Sequence, residues 1–192
     1  DFSNPPVLTT LPAGNSLIFY GGGALGKLNN DPYLDLIFTN ADPTQNLNNK
    51  VSILYGKGDG TFQTPIIFTT TPSLINRSVH IEDLNKDGRN DFLVFGEDIE
   101  PNYDLQLIHP NNGVTVFLAT ATSYVKLPVF YIKNVPEITV ANFNNDLLPD
   151  ILFLSPTQNG TSGISICYGK GNGTFMPPSK TFETSNTYGG SY

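Results

Sequence analysis

A chain of 192 residues that is 39% hydrophobic and 11% aromatic carries enough apolar material for a substantial core in one or two domains. Its net charge of −7, with ten scattered Lys and Arg, excludes the clustered basic surface that nucleic acid binding requires. Only 14% of residues are charged, while Asn, Thr, Gly and Pro are abundant, a composition suited to short strands and turns rather than helices.

In chain order, residues 1–22 read as a spare strand and a lead-in. Phe2-Ser3-Asn4-Pro5-Pro6-Val7-Leu8 is similar to Phe175-Met176-Pro177-Pro178-Ser179-Lys180, so the chain is expected to open on the third strand of a unit that is otherwise missing, either as a fragment of a longer repeat array or with a spare strand that completes a sheet in another subunit. The Gly21-Gly22-Gly23 run lacks the following Lys and Ser or Thr of a phosphate cradle. An acidic, amide-rich phrase then runs from Lys27 through Asn29 and Asp31 to Asp35. It recurs complete as Asp83-Leu84-Asn85-Lys86-Asp87-Gly88-Arg89-Asn90-Asp91, and again from Asn142 through Asn144 and Asp146 to Asp150. The equivalent aspartates 31, 87 and 146 fall 56 and 59 residues apart, the spacing of a repeat architecture.

Each phrase leads into a compact apolar strand: Leu36 to Phe38, Phe92 to Phe95, and Ile151 to Leu154. A second, alternating strand follows at Val51 to Tyr55, Val114 to Leu118 and Ile164 to Tyr168. Gly56 to Phe62 and Gly169 to Phe175 then read as tight hairpins whose Asp59-Gly60 and Asn172-Gly173 pairs supply two positive φ angles; the middle copy is eroded to Leu118 through Tyr124. Third strands are expected at Pro65 to Thr69, Pro128 to Ile132 and Pro178 to Glu183, and fourth strands at Ser78 to Glu82 and Glu137 to Ala141.

The order of Asp83, Asn85, Asp87-Gly88 and Asp91, apolar strand, second strand, then Tyr55 through Phe62 resembles the FG-GAP or VCBS repeat of integrin α-subunit propellers, fungal lectins and many secreted adhesion proteins. The resemblance implies an all-β chain of tandem four-stranded antiparallel blades of β-propeller type, with calcium in the loop between the first two strands of a blade. On that plan the chain is one repeat domain of about three blades plus a spare strand. Residues 1–22 form the lead-in, and residues 23–78, 79–137 and 138–192 form the blade units.

Calcium takes six to eight oxygens, so a short loop must point several carboxylates and carbonyls inward. Asp83, Asn85, Asp87 and Asp91 supply side-chain oxygens, the Arg89 carbonyl adds one, and Gly88 allows the sharp turn. The twelfth position is Val94, not the bidentate acid of an EF-hand, and an Asx-rich turn without an ion is the bland alternative. Ligand charge falls in the third loop, where Asn142 and Asn144 accompany Asp146 and Asp150 with Leu147 in the glycine position. It is least suitable in the first, where Asn29, Asp31 and Asp35 follow Lys27 and Pro32 fixes φ near −65°.

Three glycosylation triplets begin at Asn76, Asn159 and Asn172, all in expected loops or at a hairpin tip; Asn172 also suits the turn itself. Together with calcium loops and the lone Cys167, they point to an extracellular or cell-surface setting. No apolar run reaches the ~18 residues of a spanning helix and no signal peptide opens the sequence, so a soluble chain without membrane insertion is expected, processed if secreted. Neither His80, in a strand, nor His109, in a loop, pairs with a nucleophile, and no Gly-x-Ser-x-Gly or His-Glu-x-x-His motif appears, so no catalytic residue is assigned. Adhesion or self-assembly through strand or blade completion is the expected role, with an extracellular protein or glycan as the other class of partner. In that second case Tyr103, Tyr124, Tyr188 and Tyr192 are candidate stacking aromatics.

Overall fold

The computed structural model describes residues 19–40, 49–72, 74–98, 112–132, 135–156 and 162–183, so the expected N-terminal strand, Tyr103, His109, Asn159, Tyr188 and Tyr192 lie outside the described residues. Among the described residues the chain is all-β, with thirteen strands in three antiparallel sheets and no helix. The first sheet is β1 (Phe19–Gly26), β2 (Asp35–Asn40), β3 (Lys50–Leu54) and β4 (Ile66–Thr69), in that spatial order. The second is β5 (Leu74–Glu82), β6 (Asp91–Asp98), β7 (Asn112–Ala119) and β8 (Tyr124–Lys126), with β9 (Phe130–Ile132) also on β7. The third is β10 (Ile138–Ala141), β11 (Asp150–Pro156), β12 (Ser162–Cys167) and β13 (Ser179–Glu183). In each, an acidic loop joins the first two strands, which is the arrangement of propeller-like blades; the described residues do not close into a ring.

Strand alternation makes the second sheet the middle layer. On β6, Phe92 and Val94 face the first sheet and pack with Ile37, Val51 and Ile53, while Leu93 and Phe95 face the third and pack with Ile138, Ile151 and Phe153. Phe92 stacks on Phe117 at a centroid distance of 4.6 Å, and Phe68 of β4 meets both rings edge-on. The Cys167 thiol is fully buried in the second cluster, and burial pushes its pKa up to about 12, so it behaves as a small hydrophobe.

Three local departures from the sequence expectation have physical causes. The triglycine run is part of a strand, β1, that lies against β5: a Cβ on Gly22 would come within 3.4 Å of the Ser78 backbone, and one on Gly26 within 2.8 Å of the Ile81 side chain. The hairpins place positive φ on Gly58 and Gly60, and on Gly171 and Gly173, rather than on the Asp59-Gly60 and Asn172-Gly173 pairs. Asp59 and Asn172 instead use their side-chain oxygens to accept the N–H of Thr61 and Thr174, an Asx turn. In the middle sheet the expected strand from Pro128 to Ile132 begins only at Phe130, because proline has no N–H to donate, and a further strand, β8, precedes it. β8 pairs with Phe117 to Ala119 and β9 with Asn112 to Val114 of the same β7.

Candidate functional site

The ninth residue of each acidic loop is a buried aspartate, and all three do the same thing. Asp35, Asp91 and Asp150 have no exposed surface. One carboxylate oxygen accepts the N–H of the second loop residue, Leu28, Leu84 or Phe143, at 2.7–2.9 Å. The other accepts an N–H at or just past the end of β3, β7 or β12, from Gly56, Ala119 or Gly169, at 2.7–2.9 Å. A buried carboxylate survives only with such partners, and this pair ties the loop to the end of its sheet.

The mouths of the loops differ. In the middle one, Asp83 Oδ1 and Asn85 Oδ1 both accept the N–H of Asp87 at 3.1 Å, and Asp83 Oδ2 accepts that of Gly88 at 2.9 Å. Asp87 Oδ1 accepts the Arg89 N–H at 2.9 Å, and Oδ2 takes the Arg89 guanidinium at 2.7 Å and the Asn85 amide at 3.1 Å. Oxygens of two side chains, Asp83 and Asn85, therefore converge on the Asp87 N–H, with Lys86 at φ 59° and Gly88 at φ 83° making the curl. The Arg89 N–H, the Asn85 amide and the Arg89 charge hold the exposed Asp87 carboxyl below its ordinary range. Asp91 is held above it, chiefly by burial; the Ala119 and Leu84 N–H groups oppose this, and the charges of Asp87 and Asp83 add to it.

These donors fit a hard cation. They are all oxygen, they carry excess negative charge, and Asp83, Asn85 and Asp87 are the residues that would hold the ion. Among the described residues no three His, Cys, Asp or Glu side chains gather closely enough to hold a metal by themselves, so the Asn85 amide oxygen and backbone oxygens such as that of Arg89 would complete the set. The third loop copies the curl, with Asn145 at φ 65° and Leu147 at φ 69°, but Asn142 replaces the first acid and accepts the Asn145 N–H at 2.8 Å. There, Asn144 and Asp146 repeat the amide-to-carboxylate contact at 2.8 Å. The first loop has neither positive φ, and Pro32 excludes the second of them at its own position; Asp31 pairs with Asn29 at 2.7 Å and caps Tyr33 at 2.8 Å, and Lys27 offers no side-chain oxygen.

Other expected positions fall elsewhere. Asn76 is not in a loop: it lies in β5, 1% exposed, with its amide donating to the Lys50 carbonyl at 2.8 Å, so a glycan there conflicts with the folded strand. Asn172 is exposed at its hairpin tip. Tyr124 is no open stacking surface: its ring packs edge-on against Phe68 and Phe92 and its hydroxyl donates to the Leu28 carbonyl at 2.7 Å. His80 is half-buried in β5, and burial lowers its pKa. The N–H donors at Gly56, Ala119 and Gly169 escaped sequence reasoning; the signal lay in their equivalent places at the ends of β3, β7 and β12.

Residues 27–94, from the first loop through the middle one, match the family model of the FG-GAP-like repeat. A search of curated proteins found no match.

Proposed function

We propose that this chain, which carries an FG-GAP-like repeat, is a non-catalytic, calcium-stabilised extracellular building block that works by stacking one blade-type sheet on another, in a second copy of itself. The observation that carries this reading is the outer face of the third sheet. Ile151 and Phe153 point inward to the middle sheet, so Leu152 and Leu154 point outward. Leu154 is registered opposite Ile164, which is opposite Phe182, giving an apolar row across β11, β12 and β13. Leu154 is 54% and Phe182 58% exposed, whereas β6 and β7 at the centre of the middle sheet pack against neighbours on both faces. Covering a Leu and a Phe is worth about 1.5–3 kcal/mol each at full burial, a sufficient incentive for blade-on-blade association.

Calcium enters as the ion that relieves the charge converging in the middle loop, and a calcium-rich compartment suits a loop of this ligand charge. Sedimentation velocity across a concentration series tests the assembly. The wild-type chain self-associates, and Leu154→Glu combined with Phe182→Glu returns it to monomer; a wild-type chain that stays monomeric throughout sinks the reading.

A further inference from the structure

Between the first and second sheets, at the loop end, lies a cleft of about 460 Å³. It exists because the middle sheet departs from its neighbours twice at one place. In the first and third sheets a glycine hairpin folds over its own acidic loop: a Cβ on Gly58 would lie 2.1 Å from the Tyr33 ring, and one on Gly171 3.1 Å from Leu148. In the middle sheet that hairpin is replaced by a short turn, closed by the Thr120 N–H donating to the Ser123 carbonyl at 2.7 Å. The loop residue equivalent to Tyr33 and Leu148 is Arg89, which lines the cleft.

Two hydrogen bonds between the sheets fix the walls. The Asn90 amide donates to the Lys27 carbonyl at 2.9 Å, and the Tyr124 hydroxyl to the Leu28 carbonyl at 2.7 Å. Lys27 and Arg89 both line this one opening. In a chain with seventeen acids and ten bases, no carboxylate lines this cleft. Among the described residues Lys27 has no ion-pair partner, and the Arg89 guanidinium engages Asp87 through Nη2 alone. The rest of the polar lining is amide and hydroxyl, including Asn29, Asn30, Thr122 and Ser123, groups that both donate and accept.

From this lining we infer that the cleft binds a carboxylated saccharide unit such as a uronic acid. The carboxylate meets Lys27 and Arg89, and the ring hydroxyls meet the amides and hydroxyls around them. The volume lies within the range of small-molecule sites. An acidic peptide fits less well, because loop and turn residues make up most of the lining and only Ala119 and Tyr124 come from strands, too short a stretch for main-chain pairing. The inference does not depend on self-association.

Calorimetric titration of the full chain in chelator, with D-glucuronic acid, D-glucose and an acetylated glutamate amide as separate probes, tests it. Glucuronate binds saturably and at least tenfold tighter than either control. Lys27→Ala and Arg89→Ala, both at exposed positions, each weaken it about tenfold or more with the melting temperature unchanged. Equal binding of glucose, tighter binding of the glutamate amide, no saturable glucuronate binding, or wild-type affinity in both variants overturns it.

Discussion

The back of the acidic loop and its mouth behave differently across the three sheets. At the back, Asp35, Asp91 and Asp150 accept the same two N–H groups in every copy, although the partner across the sheet is 21, 28 or 19 residues away. At the mouth, charge, backbone sign and contacts all change: Lys27 with no positive φ, Asp83 with Lys86 and Gly88, Asn142 with Asn145 and Leu147. The difference separates what the fold needs from what a ligand would need. The buried aspartate makes the same two bonds in every sheet, while the mouth varies where its residues face solvent.

The largest effect should come from breaking the back. Asp91→Ala, Asp35→Ala and Asp150→Ala each remove two hydrogen bonds to a charged acceptor and leave two buried N–H groups without partners. At about 1.5–3 kcal/mol per charged hydrogen bond, each should cost about 3–6 kcal/mol in urea unfolding, by the same amount with calcium or chelator. A loss confined to Asp91→Ala, or one that calcium modulates, would show that back and mouth form a single ion site.

The next test uses the donors of those N–H groups. A Cβ on Gly56 would lie 2.2 Å from the Leu34 carbonyl oxygen, and one on Gly169 2.2 Å from that of Pro149, whereas the middle sheet carries Ala119 there. Gly169→Ala should therefore cost about 1–3 kcal/mol by forcing the loop backbone aside, while Ala119→Gly costs no more than about 1 kcal/mol. Equal costs at the two positions would mean that the loops approach their sheets alike and that the middle mouth is not built differently.

A smaller effect isolates the mouth. At free calcium ten times the dissociation constant, a single site adds about 1.4 kcal/mol. Asp87→Ala should lower the melting temperature in calcium to its value in chelator, and Asp31→Ala in the first loop should leave the calcium increment intact. If Asp87→Ala retains the increment, the middle mouth is an Asx turn and nothing more.

Much of the fold was legible because β2, β3, β6, β7, β11 and β12 are apolar or alternating runs bounded by turn residues. What escaped depends on contacts across sheets. β1 is rich in glycine, a poor strand former, and is held by its approach to β5. Asn76 precedes the expected strand, but its amide finds the Lys50 carbonyl of the neighbouring sheet. In the site, the repeated acids were legible and their division of labour was not: Asp91 has the spacing of a ligand, and only its burial and the Ala119 N–H reveal its structural bonds.

The smallest expected effect compares the two interfaces of the middle sheet. His80 is registered opposite Leu93, on the face toward the third sheet, and its neighbour Val79 packs toward the first. Burial lowers the His80 pKa, with the Glu137 charge opposing this, so the folded state takes up a proton at lower pH than the unfolded chain does. The stability this group contributes is present above the ordinary histidine value of about 6.5 and is lost as pH falls from there toward the folded pKa. His80→Gln should therefore flatten the fall in melting temperature between pH 7.5 and 5.5 relative to wild type, a difference that leaves His109 in common. In hydrogen exchange, acid should loosen β10 and β11 before β1 and β2. Loss of protection in the reverse order would mean that the first interface is the weaker one, and that His80 does not sense the packing of the third sheet.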